Sequence, residues 1–175
     1  MGAVSPCLGL IVLWETLTFY SWLETVIVIR LSDELDDPIR VLYVNSDPTF
    51  TELVQTKLQQ LAPNIDFLSA GGLEKAVQIL DTEQIDCIVT AYSVDESDGI
   101  ELTRTIRQQS DDIPIILFTG QGSEKIASQA TRAGVSDYIP VRSNRDNFTL
   151  LVTRIQTLSK ATRERRAAKR TNRRF

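Results

Sequence analysis

Residues 85–99 read Ile-Asp-Cys-Ile-Val-Thr-Ala-Tyr-Ser-Val-Asp-Glu-Ser-Asp-Gly, and this stretch decides the fold. An apolar run with β-branched residues, Ile85 to Val89, stops abruptly in a polar turn, which is typical of a buried parallel strand that opens onto a site. In open α/β sheets, ligands bind outside the carboxyl ends of the strands, so an active centre is expected within residues 90–98. The residue at the strand's end is Ala91, which carries no functional group.

The sequence on both sides of this stretch alternates strand and helix patterns. Apolar runs predict strands at 39–44, 65–68, 85–89, 113–118 and 135–141, each followed by apolar residues at helical spacing. Asp47-Pro48 marks the start of the first helix, Ser123 is a cap for the fourth, Gly134 ends it, and Asn147 starts the fifth. Five strands alternating with five helices predict an α/β fold with a doubly wound five-stranded parallel sheet.

This order resembles the receiver domain of two-component response regulators, the CheY-like family, over residues 39–159. The most specific segment is Phe118-Thr119-Gly120-Gln121-Gly122-Ser123-Glu124, continuing to Ala133-Gly134-Val135-Ser136-Asp137-Tyr138. It is similar to the corresponding segment of receivers attached to archaeal sensor proteins. The resemblance implies a flavodoxin-like receiver fold and a role in phosphorelay signal transduction.

The resemblance also implies that the phosphoacceptor has been lost. In receivers, the third strand ends on the aspartate that accepts phosphate, and an Asp-Gly pair follows at fixed spacing. Here Asp98-Gly99 is in place, and Ala91 stands at the acceptor position. The lysine that ends the fifth strand aligns with Val141. Arg142 lies one residue further on and should point to the other face of the strand.

The metal site is expected to be lost as well. The family's adjacent acidic residues align with Asn45 and Ser46, and Asp47 is one step further on. Because Mg²⁺ is usually held through one or two carboxylates together with phosphate oxygens, these neutral side chains should not bind it. Asn45 and Ser46 are also ordinary turn residues, and that interpretation is favoured. We expect no metal and no cofactor.

Two further positions match the family's switch. Thr119 matches the hydroxyl residue that follows phosphorylation, and Tyr138 matches the aromatic residue that changes rotamer with it. A strand-end hydrogen bond and ordinary packing explain the two residues equally well, so both interpretations stay open.

The leading hypothesis is a pseudo-receiver, not an enzyme, that acts by protein–protein interaction. Its expected partner is a sensor histidine kinase or another response regulator, bound through the surface around Tyr138 and Phe148, and a dimer is left open. One alternative is a conventional response regulator that uses Asp95 or Asp98 of the acidic loop. Another is a flavodoxin-like protein that binds a cofactor phosphate at residues 45–49 or 120–123, where Gly120-Gln121-Gly122-Ser123 precedes a helix.

Composition limits the function classes. The 175 residues include no histidine, which excludes imidazole nucleophiles, imidazole metal ligands and a phosphohistidine in this chain. Cys7 and Cys87 form no disulfide framework, and two free thiols are expected in the cytoplasm. Residues 160–175 carry eight Lys or Arg against Glu164, so the rest of the chain holds 11 basic and 22 acidic residues.

The two ends of the chain differ in composition from the body. Residues 1–38 form an apolar leader and an acidic linker; residues 8–29 have the length of a membrane span, but Glu15 and Glu24 make membrane association marginal. No basic residue precedes Arg30, which argues against a secretory signal. Residues 160–175 are expected to extend the last helix as a solvated basic tail, with nucleic acid or an anionic membrane as alternative contacts.

Overall fold

Five short parallel strands form the centre of the computed structural model, which describes residues 37–94, 97–142 and 146–172. They are β1 Ile39–Val44, β2 Ile65–Ala70, β3 Cys87–Thr90, β4 Ile115–Thr119 and β5 Asp137–Pro140. The order across the sheet is β2-β1-β3-β4-β5, and every neighbouring pair is parallel. The predicted doubly wound five-stranded sheet is confirmed.

A helix follows each strand or its loop, as the sequence predicts. The helices are α1 Pro48–Leu61, α2 Leu73–Thr82, α3 Gly99–Gln109, α4 Glu124–Ala133 and α5 Asn147–Asn172. Their ends carry the predicted signals. Asp47 accepts hydrogen bonds from the backbone N–H groups of Thr49 and Phe50, and Ser123 accepts one from Ile126. Gly134 ends α4 in the left-handed conformation, with φ of 93°.

The sheet separates two apolar cores, because successive side chains of a strand point to opposite faces. Along β1, Val41 and Tyr43 face one core, and Leu42 and Val44 face the other. The first core also holds side chains of α1 and α5, and the second holds side chains of α2 and α3. Since helices cover both faces of the sheet, polar side chains of the central strands are expected mainly at the two edges where the strands begin and end.

The structure differs from the sequence expectations in the loop after β3. Ser93–Val94 and Ser97–Asp98 pair as a two-residue antiparallel hairpin, where only a polar turn was expected. Val94 is fully buried in the second core, and this burial fixes the loop against the domain. The two residues between the paired segments, Asp95 and Glu96, lie outside the described residues.

The basic tail also differs from its expectation. Helix α5 continues to Asn172, so the predicted extension is confirmed. The side chains of Arg163, Arg166 and Lys169, however, contact acidic groups of the body instead of being fully solvated. The residues Pro38–Phe175 form one compact unit.

The predicted leader cannot be set against the structure. Residues 1–36, including the apolar segment 8–29 and most of the acidic linker, lie outside the described residues. None of the helices in the described ranges combines the length and the hydropathy that a membrane span requires.

Two neighbouring leucines of α5 provide a test of the packing. Leu151 is fully buried in the first core, whereas Leu150 is 49% exposed. We expect Leu151→Ala to lower the free energy of unfolding by roughly 2–5 kcal/mol, because it leaves a cavity. Leu150→Ala should lower it by less than about 1 kcal/mol. Urea denaturation of the two variants measures the difference, and equal losses would contradict the orientation of α5.

Candidate functional site

The carboxyl ends of the five parallel strands lie at one edge of the sheet. Backbone hydrogen bonds fix this edge: Asn45 N–H donates to Ala70 O at 3.0 Å, Ala91 N–H to Val44 O at 3.0 Å, and Val141 N–H to Thr119 O at 2.9 Å. The register pairs Val44 with Thr90 and Thr119 with Pro140. Three positions singled out from the sequence, Asn45, Ala91 and Val141, therefore directly follow the ends of β1, β3 and β5.

Ala91 is held closely against the start of α3. Its side chain is half-buried and packs against the second core, and its carbonyl accepts a 3.0 Å hydrogen bond from the hydroxyl of Thr90. A Cβ placed on Gly99 would lie 2.2 Å from the Ala91 carbonyl oxygen. The glycine is needed here because the helix backbone passes directly over the strand end, a role that the sequence did not reveal.

The side chains after β1 stabilise a turn. The Asn45 amide donates to the hydroxyl of Tyr43 at 3.1 Å, and its oxygen accepts from Asp47 N–H at 3.1 Å. One carboxylate oxygen of Asp47 accepts the two N–H groups at the start of α1, at 2.9 and 3.2 Å. Ser46 is exposed. The geometry agrees with the turn interpretation of Asn45.

Asp98 has a comparable structural task at the start of α3. One of its carboxylate oxygens accepts from Ile100 N–H at 2.9 Å and from Glu101 N–H at 2.7 Å. The second acidic candidate of this loop, Asp95, lies outside the described residues. Within the described ranges, no three His, Cys, Asp or Glu side chains lie close enough to hold a metal ion.

The two switch positions lie in β4 and β5: Thr119 is the last residue of β4, and Tyr138 is the second residue of β5. Thr119 is buried, and its hydroxyl accepts a 3.0 Å hydrogen bond from Gln121 N–H. The Tyr138 hydroxyl is enclosed and has no hydrogen-bond partner among the described residues. It faces the turn before α4, since a Cβ on Gly122 would lie 2.9 Å from it.

A shallow cleft joins Tyr138 to the loop after β5. It is lined by the turn before α4 and by the end of β5, namely Gly120, Gly122, Ser123, Glu124, Ala127, Tyr138, Pro140, Val141 and Arg142. Val141 packs against the first core, and Arg142 is exposed. The Arg142 carbonyl accepts a 2.7 Å hydrogen bond from Asn147, which anchors the start of α5.

The side chains that follow β1, β3 and β5 thus form a neutral edge. Asn45, Ser46, Ala91 and Val141 carry no ionisable group, and the nearby carboxylates of Asp47 and Asp98 accept helix-capping hydrogen bonds. Such an edge offers amide and hydroxyl groups for hydrogen bonding but no carboxylate nucleophile at the end of β3. The geometry keeps the strand-end framework, and the side chains directly after β1, β3 and β5 carry no carboxylate.

Comparison with known proteins shows which family has this strand-end framework. The family model of the response regulator receiver domain matches residues 41–153, which is more than half of the chain. The chain belongs to the response regulator receiver domain family. The family and its role in two-component signalling, inferred from the sequence, are therefore confirmed, whereas the likeness to archaeal sensor receivers stays a prediction.

Curated relatives share the receiver domain at low identity. Response regulator MprA of Mycolicibacterium vanbaalenii is 26% identical over 103 residues, which is 59% of this chain and 44% of MprA. Response regulator protein PilR of Pseudomonas aeruginosa is 28% identical over 100 residues, which is 57% of this chain and 22% of PilR. The chain thus spans less than half the length of these relatives.

Solved structures confirm the receiver fold. The receiver domain of the Francisella response regulator 1452 has a TM-score of 0.62 at 24% identity and covers 70% of this chain and 98% of its own. A CheY-like receiver protein from Methanospirillum hungatei has a TM-score of 0.61 at 17% identity, covering 73% and 98%. At these identities the likeness concerns the fold alone.

Gly99 gives a test of how the receiver's third strand meets α3. We expect Gly99→Ala to lower the free energy of unfolding by roughly 1–3 kcal/mol, because the added methyl group overlaps the backbone of Ala91. Gly120→Ala is the matched control, since nothing lies within 4 Å of a Cβ at that position. Chemical denaturation compares the two, and a stable Gly99→Ala variant would contradict the close approach.

Proposed function

We propose that this protein is a pseudo-receiver: a signalling module that is not phosphorylated at the usual strand end and that acts by binding another protein. The observation that carries the proposal is the position of Ala91. Its backbone pairs with the end of β1, and its methyl group packs against the second core. A methyl group cannot accept a phosphoryl group, so the chemistry of a receiver has no nucleophile at this position.

The residues around the strand ends do not fit the divalent cation of phosphorylation. Phosphoryl transfer needs a cation that neutralises the developing charge, and Mg²⁺ prefers carboxylate oxygens. Asn45 already uses both polar atoms of its side chain in local hydrogen bonds, and Ser46 supplies only a neutral hydroxyl. We therefore propose that the Mg²⁺ site is lost and that the protein is not an enzyme.

The proposed partner is a sensor histidine kinase or another response regulator in the cytoplasm. The surface around Tyr138 and Phe148 is the proposed docking face, and it adjoins the cleft beside the turn before α4. Phe148 packs against Phe118, with ring centroids 5.8 Å apart, so its contribution to docking is to shape the surface. The alternative is that a second copy of the chain binds the same face and forms a dimer.

Two other functions have weaker support. A conventional response regulator would need Asp98 or Asp95 as acceptor, and Asp98 accepts two helix-capping hydrogen bonds through one oxygen. A flavodoxin-like cofactor site would use the N–H groups at the starts of α1 and α4. Asp47 and Ser123 already accept hydrogen bonds from those groups.

Phosphorylation by a small donor tests the proposal directly. We expect no gain in intact mass when the full chain is incubated with acetyl phosphate and Mg²⁺, because the end of β3 has no carboxylate. A variant with Ala91→Asp, Asn45→Asp, Ser46→Asp and Val141→Lys serves as the positive control. A stable gain of one phosphoryl group in the wild-type chain, lost in Asp98→Asn or Asp95→Asn, would establish the conventional alternative.

Metal binding gives a second test. The triple variant Ala91→Asp, Asn45→Asp, Ser46→Asp brings three carboxylates to neighbouring strand ends, where their repulsion should lower the melting temperature. At a hundredfold excess over Kd, Mg²⁺ should then stabilise this variant by about 2.7 kcal/mol. The neutral variant Ala91→Asn, Ser46→Asn is the control of similar size. A comparable Mg²⁺ shift in the wild-type chain would contradict the loss of the metal site.

A further inference from the structure

A buried carboxylate lies at the opposite edge of the sheet from the strand ends discussed so far. Asp86 immediately precedes β3 and is 3% exposed. Its Oδ2 accepts hydrogen bonds from Arg40 N–H at 3.1 Å and from Arg163 Nη2 at 2.6 Å. Its Oδ1 lies 3.5 Å from Nη1 of Arg166. A buried charge is tolerated only when it is paired, and both ion-pair partners that Asp86 has among the described residues come from the tail of α5.

The same two arginines also bind backbone carbonyls. Arg163 donates to Pro38 O at 2.7 Å, and Arg166 donates to Ile85 O at 3.1 Å. These carbonyls lie just before β1 and β3, at the amino-terminal edge of the sheet. The two guanidinium groups therefore join the tail to both strands at once.

The helical spacing explains why these arginines face the body. Residues three or four apart share one face of a helix, and Ile155, Ser159 and Thr162 are buried at this spacing. Arg163 and Arg166 continue the same face beyond the apolar core. The inward stripe of α5 thus changes from aliphatic to hydroxyl to guanidinium as the helix passes the end of the sheet.

One more contact extends the pattern along the tail. Lys169 Nζ lies 2.7 and 2.9 Å from the two carboxylate oxygens of Asp112, in the loop before β4. This pair is exposed, so it adds little by itself. Asp86 is the buried anchor of the tail.

We propose that Asp86, Arg163 and Arg166 form a clasp that holds residues 160–172 as a rigid helix along the amino-terminal edge, and that this segment can open while the five-stranded core stays folded. A helix of this length is marginal in water on its own, and its many basic side chains repel one another. The clasp fixes the direction in which the tail leaves the domain. A partner that takes the two arginines for its own acidic groups must break their pairs with Asp86, so partner binding and opening are coupled. The proposal does not depend on phosphorylation.

Hydrogen exchange of the full chain, read by mass spectrometry, tests the clasp. In Asp86→Asn, backbone amides in residues 160–172 should exchange at least about tenfold faster than in the wild type, while those of β4 stay protected. The double variant Arg163→Met, Arg166→Met keeps the aliphatic stems and should give the same selective loss. The matched control is Asp137→Asn, which removes the exposed ion pair with Arg154 on the same helix. Its tail should exchange as in the wild type.

Selective loss of protection in the tail of either clasp variant supports the proposal. Unchanged protection of residues 160–172 in both clasp variants would overturn it, since the helix would then be held by other contacts. Equal loss in the tail and in β4 in both variants would also overturn it, because the tail would have no opening of its own. Faster exchange of the tail in Asp137→Asn would show that any ion pair of α5 has this effect and would likewise overturn it.

Discussion

The fold depends on one constraint: a parallel sheet covered by helices on both faces must bury its central strands along their whole length. Every described residue of β3 and β4 is buried. Since an unpaired polar group inside such a sheet is costly, functional groups are confined to the positions where strands begin or end. Both distinctive features of this protein, the neutral edge and the charged clasp, lie at such positions.

At the carboxyl-terminal edge, the polar groups stabilise turns and helix starts. Asp47 lies in the loop after β1 and Asp98 in the loop after β3, where a carboxylate could take part in chemistry. Each instead accepts hydrogen bonds from two backbone N–H groups of the helix that follows. A cap of this kind is worth about 1 kcal/mol of stability. The edge therefore retains the turns and helix caps that shape a receiver, while the residue at the end of β3, Ala91, carries no carboxylate.

Local signals made most of the fold predictable from the sequence. Apolar runs marked the five strands, and the caps at Asp47, Ser123 and Gly134 marked helix ends, because each of these signals acts within a few residues. The neutral side chains of the edge were also visible, once the strand ends were aligned. The hairpin around Val94 was not predicted, since two-residue strands have no periodicity to detect. The need for glycine at position 99 was not predicted either, because it depends on the backbone of Ala91, eight residues earlier in the chain, coming close in space.

The inward arginines were missed for a different reason. Composition indicates that a run of basic residues is solvated, and only the phase of the helix against the sheet shows which of them turn inward. Arg163 and Arg166 are separated by more than 75 residues from the carboxylate that they contact. No local pattern carries information about such a pair.

Helix α5 connects the two edges physically. Asn147 at its start binds the Arg142 carbonyl beside the neutral edge, and Arg163 binds Asp86 at the other edge. At 1.5 Å per residue, the helix rises by about 24 Å from Asn147 to Arg163. A helix fixed at both ends cannot shift at one end alone: it must move as a rigid body or break one attachment.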